Sequence, residues 1–237
     1  MLVLNSVVRN DKIIKYILFI VLEGRRRLWA CFVTAILIAL VPATLLAEVT
    51  IVDGDTFDLE GTRIRVNGID APEFAQTCGK WRCGEDSLQM LDRLIQSGSV
   101  KCESLGEDGY GRTIGVCTVN GLDIGAEMVR SGMAYAFVKY SDVYIDQEAT
   151  AREQGIGIWR ADFQRPWDFR AEKWASAEQE APQGCPIKGN ISQGGHIYHA
   201  PWSPWYKKTK VSEEQGERWF CSEADAVKAG WRAPRWR

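Results

Sequence analysis

Asp53, Asp55, Arg65, Asp70 and Glu73 crowd into one stretch, VTIVDGDTFDLEGTRIRVNGIDAPE, from Val49 to Glu73. A hard divalent cation takes several oxygen ligands, so Asp55 and Asp70 are candidate metal ligands if two neighbouring strands bring their ends together. Asp53 lies two residues before Asp55, on the same face of an extended chain, where it can support that ligand or join it. Three carboxylates packed together repel, and a bound cation would relieve the repulsion. Arg65 offers a planar fork that matches a phosphate, and Arg112 offers a second behind Tyr110 and Gly111 at a hairpin entry. Glu73, just past Pro72, can polarise a water as a general base. Taken singly, these are ordinary turns, solvated strand arginines and a surface glutamate. Taken together, they exceed what a meander of Val, Ile and Thr needs in order to fold.

The elements that must position them follow from the pattern. VTIVD, TFDLE and RIRVNGI read as three strands joined by the D-G-D and E-G-T turns. The five-residue offset from Arg65 to Asp70 would put the two on opposite faces of a regular strand, which predicts a bulge or sharp twist near Gly68. Leu88, Leu91, Leu94 and Ile95 at helical spacing predict a helix over Glu85–Gln96. SVKCES and RTIGVCTVNG read as a strand pair, after which Asn120–Gly121 turns the chain into helices over Leu122–Arg130 and Val143–Gln154. Five strands with three helices make an α+β fold, and their order fits a five-stranded OB-type β-barrel. Residues 48–174 are expected as that domain, 175–184 as a linker, and 185–237 as a small Trp-rich domain stapled by a disulfide or a metal.

These residues resemble the secreted thermonucleases of the staphylococcal nuclease family over roughly Val49 to Trp159. The resemblance is carried by D-G-D-T at Asp53 to Thr56, R-V-N-G-I-D-A-P-E at Arg65 to Glu73, Y-G-R at Tyr110 to Arg112, and G-I-W at Gly157 to Trp159. It implies an OB-fold enzyme that hydrolyses DNA and RNA phosphodiesters with Ca²⁺. Asp55, Asp70 and the backbone carbonyl of Ala71 would bind the metal, with Asp53 behind them. Arg65 and Arg112 would bind the phosphate, Glu73 would be the general base, and Tyr110 and Tyr140 would contact the nucleotide. Gly109 and Val138 depart from the family's lysine and tyrosine, which bears on nucleotide preference. The C-terminal stretch resembles a small module found after some bacterial thermonuclease-type domains.

The 237-residue chain has a formal net charge of −2. Its first 47 residues, with six basic and two acidic side chains, contribute +4, so the remainder carries −6 and is no generic polyanion binder. Arg25, Arg26 and Arg27 precede an apolar run from Leu28 to Leu46, the layout of a secretory signal cleaved after Ala47 or of an uncleaved membrane anchor. On either reading the protein is expected outside the cytoplasm, secreted or periplasmic, in a bacterium. With Cys31 removed, Cys78, Cys83, Cys102, Cys117, Cys185 and Cys221 remain; locality pairs them in that order, with Cys102 and Cys117 across a hairpin. A zinc site on Cys185, His196, His199 and Cys221 competes with the last pair. A monomer without an obligate protein partner is expected. Two competing classes are a non-catalytic nucleic-acid-binding module and an envelope protein of polysaccharide export, although nothing in the motif residues makes or breaks a glycosidic bond.

Overall fold

The computed structural model describes residues 49–235; the leader and its cleavage site lie outside the described residues. Strands β1 (Val49–Asp53), β2 (Thr56–Leu59) and β3 (Thr62–Val66) form a meander whose register sets Phe57 opposite both Ile51 and Ile64. That alignment gives one apolar face, the source of the first core. Two-residue β4 (Ile69–Asp70) follows, then α1 (Cys83–Gln96), β5 (Val100–Glu107), β6 (Thr113–Val119) and β7 (Leu122–Asp123). Next come α2 (Ile124–Arg130), β8 (Tyr135–Ala136), α3 (Ile145–Glu153) and α4 (Pro166–Glu180). The remainder holds β9 (Ile187–Ser192), β10 (Gly195–His199), β11 (Arg218–Phe220) and α5 (Glu223–Lys228).

The main sheet runs β1-β2-β3-β6-β5, with β7 on β6, and β3 pairs parallel to β6. Among the described residues no ladder joins β1 to β5, so the sheet is open rather than the expected closed five-stranded barrel. The cause lies at Gly68. Asn67 and Gly68, with φ +72 at the glycine, turn the chain out of β3, and β4 pairs with β8 in a ladder of its own. The sharp twist expected there is a break between two ladders, which takes Asp70 away from Arg65's strand.

Five α-helices stand among the described residues instead of three. Leu91 and Ile95 of α1 pack under Phe57, Val66 and Ile69, with Ile124, Met128 and Val129 of α2 completing the core. The additional helix α4 has Pro166 in its first turn, where a missing N–H costs nothing, and continues to Glu180. It therefore runs through most of the stretch expected as a linker, which ends in a 3₁₀ turn at Pro182–Gly184. The C-terminal core is small: Ile187, Tyr198, Phe220, Ala226 and Trp231, with Trp174 of α4 packed against it. A core of that size needs a staple, and Cys185–Cys221 supplies it. Cys78–Cys83 and Cys102–Cys117 are also disulfides, the latter between residues directly opposite in the β5–β6 register. Since Cys185 and Cys221 are bonded to each other, neither is a thiolate for zinc. No helix of the described residues is long and apolar enough to cross a membrane.

Candidate active site

A groove of about 1080 Å³ runs beside the β1–β2 turn, the β3–β4 turn and the turn between β5 and β6. Asp53, Asp55, Arg65, Glu73, Arg112, Tyr110 and Tyr140 all line it. Asp70 and Ala71 do not reach its surface; Asp70 is fully buried and acts through its partners.

Each carboxylate is held by the local fold. Asp55 sits in the β1–β2 turn, where its Oδ1 accepts from Thr56 Oγ1 at 2.8 Å and its Oδ2 from the Ala71 amide at 3.1 Å. That second bond spans the two turns and fixes their approach. Ala71 thus reaches Asp55 through its N–H; the carbonyl to which the resemblance assigns the metal is a separate atom. Arg65 reaches from β3 to pair with Asp55 and to donate to Asp70 Oδ1 at 3.1 Å and the Ile69 carbonyl at 3.2 Å. Burial pushes the Asp55 carboxyl up, but the Arg65 guanidinium and the Thr56 and Ala71 donors bring it below the usual carboxylate range.

Asp53 and Glu73 behave differently. Asp53 is held well above the ordinary range, by burial first and then by the Glu73 charge, and Glu73 is itself raised by burial against the pull of Arg170. The two side chains are hydrogen-bonded, which favours the proton on Asp53 over Glu73. Glu73 is fixed from behind by Gln76, whose amide donates to the Glu73 carbonyl at 2.7 Å and whose Oε1 accepts from the Glu73 amide at 3.2 Å. Gly84 at the start of α1 lies so close that a Cβ there would stand 1.8 Å from the Glu73 carbonyl oxygen. The Cys78–Cys83 loop, next along the chain, does not itself line the groove.

On the opposite side, Asp108 organises the β5–β6 turn by accepting from the Tyr110 and Arg112 amides at 2.9 and 3.0 Å. Its other oxygen takes the Arg112 side chain at 2.7 Å, and that guanidinium lies over the Tyr110 ring, 5.1 Å from its centroid. Tyr140 is 71% exposed, meets Phe137 edge-to-face and has Lys139 Nζ 5.5 Å from its ring centroid.

Arg170 of α4 was not legible as a site residue. Its Nη2 donates to Asp70 Oδ2 at 2.7 Å, and its Nη1 to Asp70 Oδ1 at 3.1 Å and Glu73 Oε1 at 2.7 Å. Burial disfavours its charge, but Glu73 and Asp70 outweigh that and raise its pKa. Nothing local links it to a carboxylate 100 positions earlier. Glu223 and Tyr198 from the C-terminal module line the same groove and bond to each other at 2.9 Å.

Residues 63–161 match the family model described as staphylococcal nuclease homologue, and residues 169–233 match a second, ArfC. The succinoglycan biosynthesis protein ExoI of Rhizobium meliloti (strain 1021) is 34% identical over 49% of this chain and 65% of its own length. An uncharacterized endonuclease of Haemophilus influenzae is 34% identical over 47% of this chain, which spans 64% of that relative. The chain thus covers just under two thirds of these two relatives. An uncharacterized endonuclease of Escherichia coli O157:H7 is 34% identical over 53% of this chain and 84% of its own length. With that coverage, and with Asp53, Asp55, Arg65, Glu73 and Arg112 gathered along one groove, the chain belongs to the staphylococcal nuclease homologue family.

Proposed function

We propose that the chain is an exported endonuclease that hydrolyses the phosphodiester bonds of DNA and RNA without strong sequence preference, with Ca²⁺ as cofactor. The observation that carries the reading is the convergence of Asp53, Asp55, Glu73 and the Arg65 and Arg112 forks at one groove, with Asp70 buried behind Arg65. Phosphodiester hydrolysis needs positioned cations around the phosphate and a base for the water, and binding alone needs no base.

Asp55 and Asp70 are buried oxygen donors of the kind a hard divalent cation takes, but among the described residues no three acidic, His or Cys side chains are grouped to hold one, and the oxygens of both face Arg65, Thr56, the Ala71 amide and Arg170. Asp55, Asp70 and the Ala71 carbonyl would hold Ca²⁺, with Asp53 outside them, and the ion would supply Lewis-acid activation of a phosphate oxygen. Arg65 and Arg112 flank the phosphate and neutralise charge as it builds on its equatorial oxygens. Glu73 accepts a proton from the attacking water as the oxygen–phosphorus bond forms and the bond to the leaving sugar oxygen breaks. Asp53, hydrogen-bonded to Glu73, keeps that carboxylate aimed at the water. Tyr110 and Tyr140 line the groove beside Arg112 and Lys139 and would contact the nucleotide there.

Incubating the purified chain with duplex and single-stranded DNA and RNA, with Ca²⁺ or with chelator, tests the reading. Ca²⁺-dependent cleavage of both polymers is expected. Binding without cleavage by a folded sample would instead favour a non-catalytic nucleic-acid-binding module.

A further inference from the structure

Arg170 lies outside every motif of the nuclease signature, yet its guanidinium holds the two carboxylates on which that signature depends. It meets Asp70 with two N–H groups, at 2.7 and 3.1 Å, and Glu73 with one at 2.7 Å. Asp70 is fully buried, and together with Arg65 the guanidinium takes both of its oxygens. A Ca²⁺ ion needs carboxylate oxygens at about 2.3–2.6 Å, and oxygens committed to an arginine fork are not free to provide them.

The position of Arg170 is set by the C-terminal module. It belongs to the segment that matches the second family model, and four residues on in the same helix Trp174 packs into the C-terminal core and lies 6.3 Å from the Trp202 ring. A buried cluster of carboxylates without a counter-charge would be costly, and Arg170 supplies one. It is also 24% exposed in its side chain and lines the groove, so it has room to leave.

We propose that Arg170 is a tethered counter-ion of the cation site, exchanged for Ca²⁺ when the ion binds, so that the C-terminal module sets the cation affinity of the nuclease groove. This rests on the metal-dependent reading above. In exchange, the guanidinium leaves Asp70 and Glu73. It remains on the groove wall, where a substrate phosphate is its next partner.

Calorimetric titration of CaCl₂ into the intact chain and into its Arg170→Ala, Arg170→Lys and Asp55→Asn variants tests this without reference to activity. Arg170→Ala is expected to bind Ca²⁺ about tenfold more tightly or better, since the competing charge-assisted bonds are gone. Arg170→Lys, which keeps a charge for the buried carboxylates but loses the fork, is expected between the two and serves as the readout if the alanine variant does not fold. Asp55→Asn is expected to lose binding. If both folded Arg170 variants bind Ca²⁺ no more tightly than the parent chain while Asp55→Asn abolishes binding, the counter-ion role is overturned and the metal site stands. If neither the parent nor any variant binds Ca²⁺, the metal site falls and the inference with it.

Discussion

Replacing Arg65 by lysine tests the site at its most connected point. The guanidinium serves three acceptors at once: Asp55, Asp70 Oδ1 at 3.1 Å and the Ile69 carbonyl at 3.2 Å. An ammonium keeps the charge but sits at one point, so it can retain Asp55 and must release the β4 contacts. Asp70 keeps both of its bonds to Arg170, so the folding cost is limited to about 1–3 kcal/mol. The catalytic cost is larger. Loss of one positioned donor at the developing phosphate charge lowers turnover by about 10²-fold or more, roughly 2.7 kcal/mol of transition-state stabilisation. Initial rates on DNA with saturating Ca²⁺ should show the loss in kcat with little change in KM, while a thermal melt shows the variant folded. Rates near those of the parent protein would refute the assignment of Arg65 to the phosphate.

Gly84→Ala should displace the Glu73 loop, because its Cβ would collide with the Glu73 carbonyl; a stability loss of about 1–3 kcal/mol by denaturant titration is expected, with lower kcat. Opening the Cys102–Cys117 bridge by Cys102→Ser should cost about 3 kcal/mol for a loop of this length, read as a lower denaturation midpoint. Burial, and then the nearby Lys188 charge, lower the His199 pKa from 6.5 to about 4. The folded state therefore favours the neutral ring: its contribution is complete above pH 6.5 and is lost as the pH falls towards 4. Tryptophan fluorescence should report this, since Trp205 lies 6.1 Å from the ring, and His199→Gln should flatten the pH dependence.

The motifs around Asp53, Asp55, Arg65, Asp70, Glu73 and Arg112 are local strings whose residue types declare their chemistry, so the nuclease likeness was legible in the sequence. The strands and the first three helices were legible for a related reason: apolar spacing records which face is buried, as at Leu91 and Ile95. The Asn120–Gly121 turn and the Cys102–Cys117 pairing are equally local, because hairpin register puts the two cysteines opposite each other.

What the sequence left open depends on contacts between distant segments. Gly68 announced a turn but not that β4 would abandon the sheet for β8, which decides that the barrel stays open and that Asp70 is sealed behind the groove. Helix α4 has Pro166 in its first turn, but its weak periodicity hid a helix whose Trp174 packs against the C-terminal core while its Arg170 reaches Asp70 and Glu73. Arg170 could not be found at all from its neighbours, since its meaning lies in Asp70 and Glu73 a hundred residues away. The sequence by itself determined which groups can do chemistry here, because side-chain type fixes charge, donor set and geometry. Only the tertiary structure decided which cation those carboxylates face in the folded chain, because that depends on where the C-terminal helix docks.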